Sequence, residues 1–153
     1  MLESEVSKII TGYLDAKRLL HFRANSGKWQ DARTGSWIQG MEAGTADLFV
    51  GYPLNGVIAF GFCEVKSPVG KLRPEQIVFL RRVHKLGCLW VVADELDDVQ
   101  KWLADNAFHG KTKYVSDVLD EDKRFVSTIQ RSGKKPMPIS MISQFEMWQR
   151  KKL

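Results

Sequence analysis

Hydrophobic residues follow two different spacings along this chain, and together they predict helices and strands in a mixed order. Apolar residues recur three and four positions apart in 3–19, 74–86 and 95–104, which is the spacing of amphipathic helices. Short apolar runs predict strands at 20–25, 47–52, 57–66 and 88–93. Pro74 suits the first position of its helix, and Gly87 suits the position just after its end. This order of elements indicates an α/β fold.

Two parts of the chain have weaker patterns. Residues 26–44 are rich in glycine and weakly periodic, which predicts a long hairpin or loop, and loops of that length in small domains are often functional. After residue 105 we expect a strand at 124–130 and a last helix at 142–152. We therefore divide the chain into a core, 1–104, and a basic C-terminal extension, 105–153, packed on or swapped from the same domain.

Length and composition limit the possible classes of protein. At 153 residues, with 44% hydrophobic and 27% charged residues, the chain has the composition of one globular domain. Cys63 and Cys88 lie within apolar runs, as expected for unpaired cysteines in a reducing compartment. No apolar stretch approaches the roughly 20 residues that span a bilayer, and the acidic, amphipathic start is unlike a secretory signal. We therefore expect a cytoplasmic protein with no membrane partner.

The net charge of +5 is concentrated in the C-terminal third. Residues 1–104 hold 13 basic and 12 acidic side chains, whereas residues 105–153 hold 10 and 6. A polyanionic partner, above all a nucleic acid, fits this distribution, although many small proteins reach the same charge without one.

Asp47, Glu64 and Lys66 form the arrangement with the clearest chemistry. Glu64 and Lys66 are two apart on one predicted strand and so share a face. If the two strands form a hairpin around the loop at 53–56, Asp47 lies opposite about position 63, beside Glu64. Two carboxylates ~5 Å apart repel by roughly 3 kcal/mol at an effective dielectric of 20, so they need a shared proton or a cation. Hard oxygen ligands suit Mg²⁺ and a lysine neutralises phosphate charge, as hydrolysis of a phosphodiester requires.

These residues and the sequence around them resemble a known nuclease family. The spacing from Asp47 to the Glu64-Val65-Lys66 triplet is that of the PD-(D/E)xK signature. The surrounding motifs narrow the resemblance to its VRR-NUC (virus-type replication-repair nuclease) branch over about residues 3–104: ES-x-V at 3–6, YL at 13–14, FRANSG at 22–27, GTADL at 44–48, CEVKSPVGKLRPEQ at 63–76 and LGCLWVVAD at 86–94. Ala46 stands where the family name has proline, but many members lack that proline. The resemblance implies a restriction-endonuclease-like αβββαβ core, with a central mixed sheet flanked by helices.

The resemblance also implies roles for individual residues. Asp47 and Glu64 would be ligands of Mg²⁺ or Mn²⁺, together with the backbone carbonyl of Val65, and Lys66 would position the attacking water. Gln76 would bond to the phosphate or to a metal ligand.

The first-helix glutamate of the family matches Glu3, which would complete the catalytic and metal-binding set. Glu5 is the rival assignment, and the spacing favours Glu3 only moderately. Each of these residues also has an ordinary interpretation, such as an exposed ion pair, a turn cap or a charge at a helix terminus.

Nucleic-acid contacts are expected where the first strand of the family enters the cleft. The candidate residues are Arg23, Asn25, Ser26, Lys28 and Lys71, whose side chains suit phosphate oxygens. Trp29 and Trp37 could stack on unpaired bases, and ordinary packing explains them equally well.

The sequence thus predicts a Mg²⁺- or Mn²⁺-dependent endonuclease acting on branched or duplex DNA, with no organic cofactor. We expect a homodimer in a bacterial cell or a phage-infected host, since two opposed sites suit a four-way junction. The alternative is a catalytically inactive nucleic-acid-binding module of the same fold. The sequence also leaves open RNA cleavage or a structural phage protein.

Overall fold

The computed structural model describes residues 1–24 and 28–120. They form four helices and six strands within those ranges: α1 (Glu3–Ala16), β1 (Leu20–Arg23), β2 (Lys28–Gln30), β3 (Trp37–Gln39), β4 (Leu48–Leu54), β5 (Val57–Val65), α2 (Pro74–Lys85), β6 (Leu89–Ala93), α3 (Leu96–Ala104) and α4 (Thr112–Leu119). The first compact unit of the chain runs from Met1 to Asp120. The strand expected at 124–130 and the helix expected at 142–152 lie outside the described residues.

The main sheet has four strands in the order β1-β4-β5-β6. β1, β4 and β5 pair antiparallel, whereas β6 lies parallel to β5. α2 provides the crossover between these two parallel strands, as a parallel pair requires. The fold is therefore mixed α/β with a four-stranded mixed sheet flanked by helices, and its elements follow the expected order.

A two-residue turn sets the register between β4 and β5. Asn55 and Gly56 both have positive φ, at 50° and 82°, which suits a tight hairpin turn. Pairing therefore continues to Leu54 and Val57, beyond the predicted end of the first strand at residue 52. Because Leu48 pairs with Cys63, the register continued by one residue sets Asp47 opposite Glu64. The expected position was opposite about residue 63, and the observed one differs by a single residue because the turn is centred between Asn55 and Gly56, later in the chain than the centre of the assumed loop.

The two faces of the sheet have different coverings. One face packs against α1 and α3 in a continuous core of fully buried side chains: Val6, Ile10, Leu14, Leu48, Val50, Cys63, Val65, Val91, Ala93, Val99 and Trp102. The other face carries a row of aromatic rings from β1 to α2, namely Phe22, Phe49, Phe62 and Phe79. Glu64 belongs to this second face, since Val65 beside it points into the core.

Two elements differ from the expected ones, and the segment at 26–44 agrees with its prediction. α1 ends at Ala16 and not at residue 19, because Arg18 adopts a positive φ of 55° and turns the chain into β1. Residues 26–44, expected as a hairpin or loop, contain the short β2–β3 hairpin. α4 was not predicted, and it places the end of the first compact unit at Asp120, beyond the expected core boundary at 104.

No helix in the described part of the chain is both long enough and apolar enough to cross a membrane. The two cysteines are free, as the sequence predicted.

Gly61 provides a test of the packing between β5 and α3. A Cβ added there would lie 2.4 Å from Cζ2 of Trp102, which is fully buried. We expect Gly61→Ala to lower the free energy of unfolding by about 1–3 kcal/mol, the usual effect of overpacking a core. Urea denaturation measures the change.

Gly12→Ala is the matched control, because in the described part of the chain no atom beyond the neighbouring backbone of its own helix lies within 4 Å of a Cβ at that position. Alanine there should raise stability by roughly 0.5–1 kcal/mol. Equal effects of the two substitutions would contradict this packing.

Candidate active site

Five polar side chains meet where β5 ends. Asp47 directly precedes β4, Glu64 lies near the end of β5, and Lys66 directly follows it. Glu3 comes from the first turn of α1 and Gln76 from the first turn of α2. These are the five residues proposed as catalytic from the sequence, and the fold brings them together from four elements.

Glu64 lies at the centre of this group. Its side chain is fully buried, and its Oε1 accepts hydrogen bonds from Lys66 Nζ at 2.5 Å and from Gln76 Nε2. Its Oε2 is buried with no hydrogen-bond partner, a state that among the described residues it shares only with Trp102 Nε1. A buried carboxylate oxygen without a donor is costly, so this atom marks a place for a proton or a cation.

Asp47 is the half-buried second carboxylate of the site. Its Oδ2 accepts a hydrogen bond of 2.8 Å from the backbone N–H of Val65, while its carbonyl accepts one from Ala24. The backbone of Asp47 is therefore held next to β1, and its side chain is held by the end of β5. Its negative charge also raises the pKa of Glu64.

Lys66 provides the positive charge of the site. Besides Glu64, its ammonium donates to the carbonyl of Val65 at 2.9 Å and lies 3.5 Å from Glu3 Oε2. Burial opposes the charge on Lys66, but the attraction of Glu64 and its hydrogen bond raise the pKa of the amine above its ordinary value. The Val65 carbonyl, expected as a metal ligand, is thus occupied by the lysine in this arrangement.

The pKa of Glu64 is raised to about 8, from 4.5. Burial is the largest cause, and repulsion from Asp47 adds to it. The attraction and hydrogen bond of Lys66 act in the opposite direction and only partly offset these effects. Lys66 therefore does not fully neutralise the two carboxylates, and a proton or a further cation would stabilise them.

Gln76 is oriented by the start of its own helix. Its Oε1 accepts a hydrogen bond of 2.9 Å from the backbone N–H of Arg73, so its NH₂ group is directed to Glu64. The close packing of Gly44 against Glu75 holds the same helix turn, because a Cβ at Gly44 would lie 2.4 Å from the Glu75 carbonyl oxygen.

The two candidates for the first-helix glutamate separate clearly. Glu3 contacts Lys66, whereas Glu5 accepts a hydrogen bond of 2.7 Å from the backbone N–H of Leu2 and so caps its own helix. The geometry brings Glu3 to the site and leaves Glu5 outside it.

The predicted nucleic-acid contacts are placed less fully. Arg23 is exposed at the end of β1, on the face it shares with His21 and not with Glu64. Lys71 is exposed in the loop before α2, and Trp37 is 70% exposed on β3. Asn25 and Ser26 lie outside the described residues, as does the side chain of Lys28.

A second acidic group was not identified from the sequence. Single carboxylate oxygens of Asp94, Glu95 and Asp98 lie within 4.8 Å of one another just after β6. The acidic residues between 94 and 98 could have indicated this group from the sequence, but such residues are equally typical of the exposed first turn of a helix. Lys111 pairs with Asp94 and with Glu95, and Lys113 pairs with Asp94 at 2.9 Å.

These lysines supply hydrogen-bond donors to the second acidic group that the first group lacks at Glu64 Oε2. Burial alone would raise the pKa of Asp94, but hydrogen bonds from Lys111, Lys113 and Tyr114 lower it. Both oxygens of Asp94 therefore have donors, unlike Glu64 Oε2. The donor set at Asp47 and Glu64 fits a hard divalent cation better, because an unpaired buried oxygen is already present there.

Comparisons with known proteins found no matching family model, no matching curated protein and no matching solved structure.

The raised pKa of Glu64 predicts how stability depends on pH. Between about pH 4.5 and pH 8 the folded protein holds a proton on Glu64 that the unfolded chain has released, so stability falls as the pH rises through this range. Urea denaturation in EDTA, from about pH 5 to pH 8.5, should show this decline.

Glu64→Gln is the control for this pH dependence, since it keeps the shape of the side chain but does not titrate. The decline should be weaker in this variant. Identical slopes for the two proteins would contradict the assignment of the proton to Glu64.

Proposed function

We propose that this protein is a nuclease that hydrolyses DNA phosphodiester bonds with Mg²⁺ or Mn²⁺, on a restriction-endonuclease-like core of the VRR-NUC type. The observation that carries the proposal is the meeting of Asp47, Glu64 and Lys66 at the end of β5, with Glu64 Oε2 buried and unpartnered. Two carboxylates beside a lysine are the groups expected around a divalent cation and a phosphate. The sequence resemblance over residues 3–104 assigns the same residues.

Asp47 and Glu64 would hold the cation, with Glu3 beside them. When bound, the ion supplies Lewis-acid stabilisation of the negative charge that develops on the phosphate. Lys66 touches both Glu64 and the Val65 carbonyl, so this carbonyl would become a ligand only if the lysine turns away.

The residues of the chain have separate tasks in this proposal. Lys66 would place its ammonium beside the attacking water and the phosphate, where it favours the developing negative charge. Gln76 keeps Glu64 Oε1 directed at the site, because its own orientation is fixed by Arg73 N–H. The burial of Glu64 excludes water from that carboxylate, which strengthens its interaction with any cation.

One contact favours the second candidate function, an inactive nucleic-acid-binding module of the same fold. Lys66 already supplies a positive charge to Glu64 and to the Val65 carbonyl, so the acidic group is partly neutralised by the chain itself. Metal binding by the wild-type protein separates the two functions, since the binding module needs no divalent ion.

Metal binding and cleavage test the nuclease directly. We expect wild-type protein to bind Mn²⁺ in calorimetry and to cut DNA only with Mn²⁺ or Mg²⁺. Glu64→Gln should lose Mn²⁺ binding, and Lys66→Met should lower the cleavage rate about 10²-fold or more, because an acid–base or charge-stabilising group is removed.

Asp98→Asn is the matched control. It removes one carboxylate of the second acidic group. The asparagine keeps a side-chain oxygen that can accept the hydrogen bond which the backbone N–H of Asp94 donates to Asp98. This variant should bind Mn²⁺ and cut DNA like the wild type. If Asp98→Asn lost Mn²⁺ binding while Glu64→Gln retained it, the metal would be bound by the second acidic group and not by Asp47 and Glu64. That result would refute the proposal.

The substrate and assembly proposed from the sequence are branched DNA and a homodimer in the bacterial or phage-infected cytoplasm. A two-fold dimer would present two sites to the two opposed strands of a four-way junction. We expect light scattering to give twice the chain mass of 17.5 kDa and junctions to be cut faster than plain duplex. A mass of 17.5 kDa, or equal rates on both substrates, would contradict this part of the proposal.

A further inference from the structure

A short turn at 67–70 connects the two residues that donate to Glu64. Lys66 directly precedes this turn, and Gln76 follows it in the first turn of α2. The turn is closed by a hydrogen bond of 2.8 Å from Gly70 N–H to the Ser67 carbonyl. Any shift of the turn therefore acts on the backbone from which the Lys66 side chain extends.

α4 holds this turn from outside the region that resembles the nuclease family. The hydroxyl of Tyr114 lies 3.4 Å from the Ser67 carbonyl oxygen and 3.3 Å from that of Gly70, and Lys113 donates to the Pro68 carbonyl at 2.7 Å. Tyr114 is only 1% exposed. The Pro68 carbonyl thus has a donor from α4, and the Tyr114 hydroxyl, whose single proton serves one acceptor at a time, lies beside two more carbonyls of the turn.

Asp94 fixes the position of the Tyr114 hydroxyl. The tyrosine hydroxyl lies 3.1 Å from Asp94 Oδ2, and Lys113 reaches the same oxygen at 2.9 Å. Asp94 directly follows β6, the strand whose Ala93 carbonyl accepts the backbone N–H of Lys66 at 2.8 Å. We call these contacts, which run from Asp94 through Tyr114 and Lys113 to the turn at 67–70, the brace. The brace begins directly after β6, the strand that already bonds to the backbone of Lys66.

We propose that Tyr114 is a positioning residue for Lys66, acting through the turn at 67–70. The sheet holds the backbone of Lys66 on its N-terminal side, through Ala93, and Tyr114 holds it on the C-terminal side. This inference rests on the proposed nuclease function, and it also gives Asp94 a role other than metal binding.

Tyr114→Phe tests the inference because it removes the hydroxyl and keeps the buried ring. Tyr52→Phe is the matched control: Tyr52 is also buried, and its hydroxyl donates to Asn106 Oδ1 at 3.0 Å, away from the turn. Each variant loses one buried phenol hydrogen bond, so both should lose similar thermal stability.

Only Tyr114→Phe should change the chemistry. We expect its kcat with Mn²⁺ on DNA to fall about tenfold with KM within about twofold, since small misplacement of a catalytic group is known to cost up to 10²-fold in rate. Backbone amides at 66–70 should also exchange hydrogen faster in Tyr114→Phe. Tyr52→Phe should keep the kcat, KM and exchange rates of the wild type.

The outcomes separate this inference from the nuclease proposal. If the wild type cuts DNA and both variants keep its kcat, or both lose it equally, the positioning role is refuted while the nuclease stands. If the wild type neither binds Mn²⁺ nor cuts, the nuclease is refuted, and unchanged exchange at 66–70 in Tyr114→Phe would then refute the brace itself.

Discussion

Burying a carboxylate at the end of a central strand is the constraint that organises this protein. An ion removed from water loses several kcal/mol of hydration unless charges and donors replace it. Glu64 is fully buried, and the chain surrounds its Oε1 with the lysine two residues later and the amide from the next helix. Its Oε2 receives no such partner. The site is therefore built around an incomplete compensation, which is unfavourable for stability and useful for binding a cation.

The surrounding elements of the fold hold Glu64 in this incompletely compensated position. The short hairpin turn sets Asp47 against the strand that carries Glu64, which increases the repulsion between the two carboxylates. The parallel strand β6 and the helix α4 hold the backbone just after Glu64. The second acidic group, around Asp94, shows the opposite solution, because two lysines and a tyrosine supply donors to both oxygens of Asp94. Among the described residues, the two acidic groups thus differ in one property that matters for metal binding, because a buried carboxylate oxygen without a donor is present only at Glu64.

Much of the main sheet could be predicted from the sequence, because its strands are apolar runs bounded by clear turn residues. Gln76 and Glu64 could be proposed from the resemblance, but their hydrogen bond depends on how α2 returns over the sheet, which no local pattern encodes. The register was off by one residue, since the choice between a two-residue and a longer turn rests on the positive φ of Asn55 and Gly56. α4 was missed although Tyr114, Val115, Val118 and Leu119 follow a helical spacing, because its 8 residues are fewer than the roughly 11–18 over which such a spacing is recognised.

A crystal soaked in Mn²⁺ and measured at an anomalous wavelength tests the central claim most directly. The account predicts one strong anomalous peak at about 2.0–2.3 Å from Glu64 Oε2 and from an oxygen of Asp47, the range for small hard cations on carboxylates. Absence of a peak there, or a peak held by Asp94, Glu95 and Asp98 in its place, would contradict it.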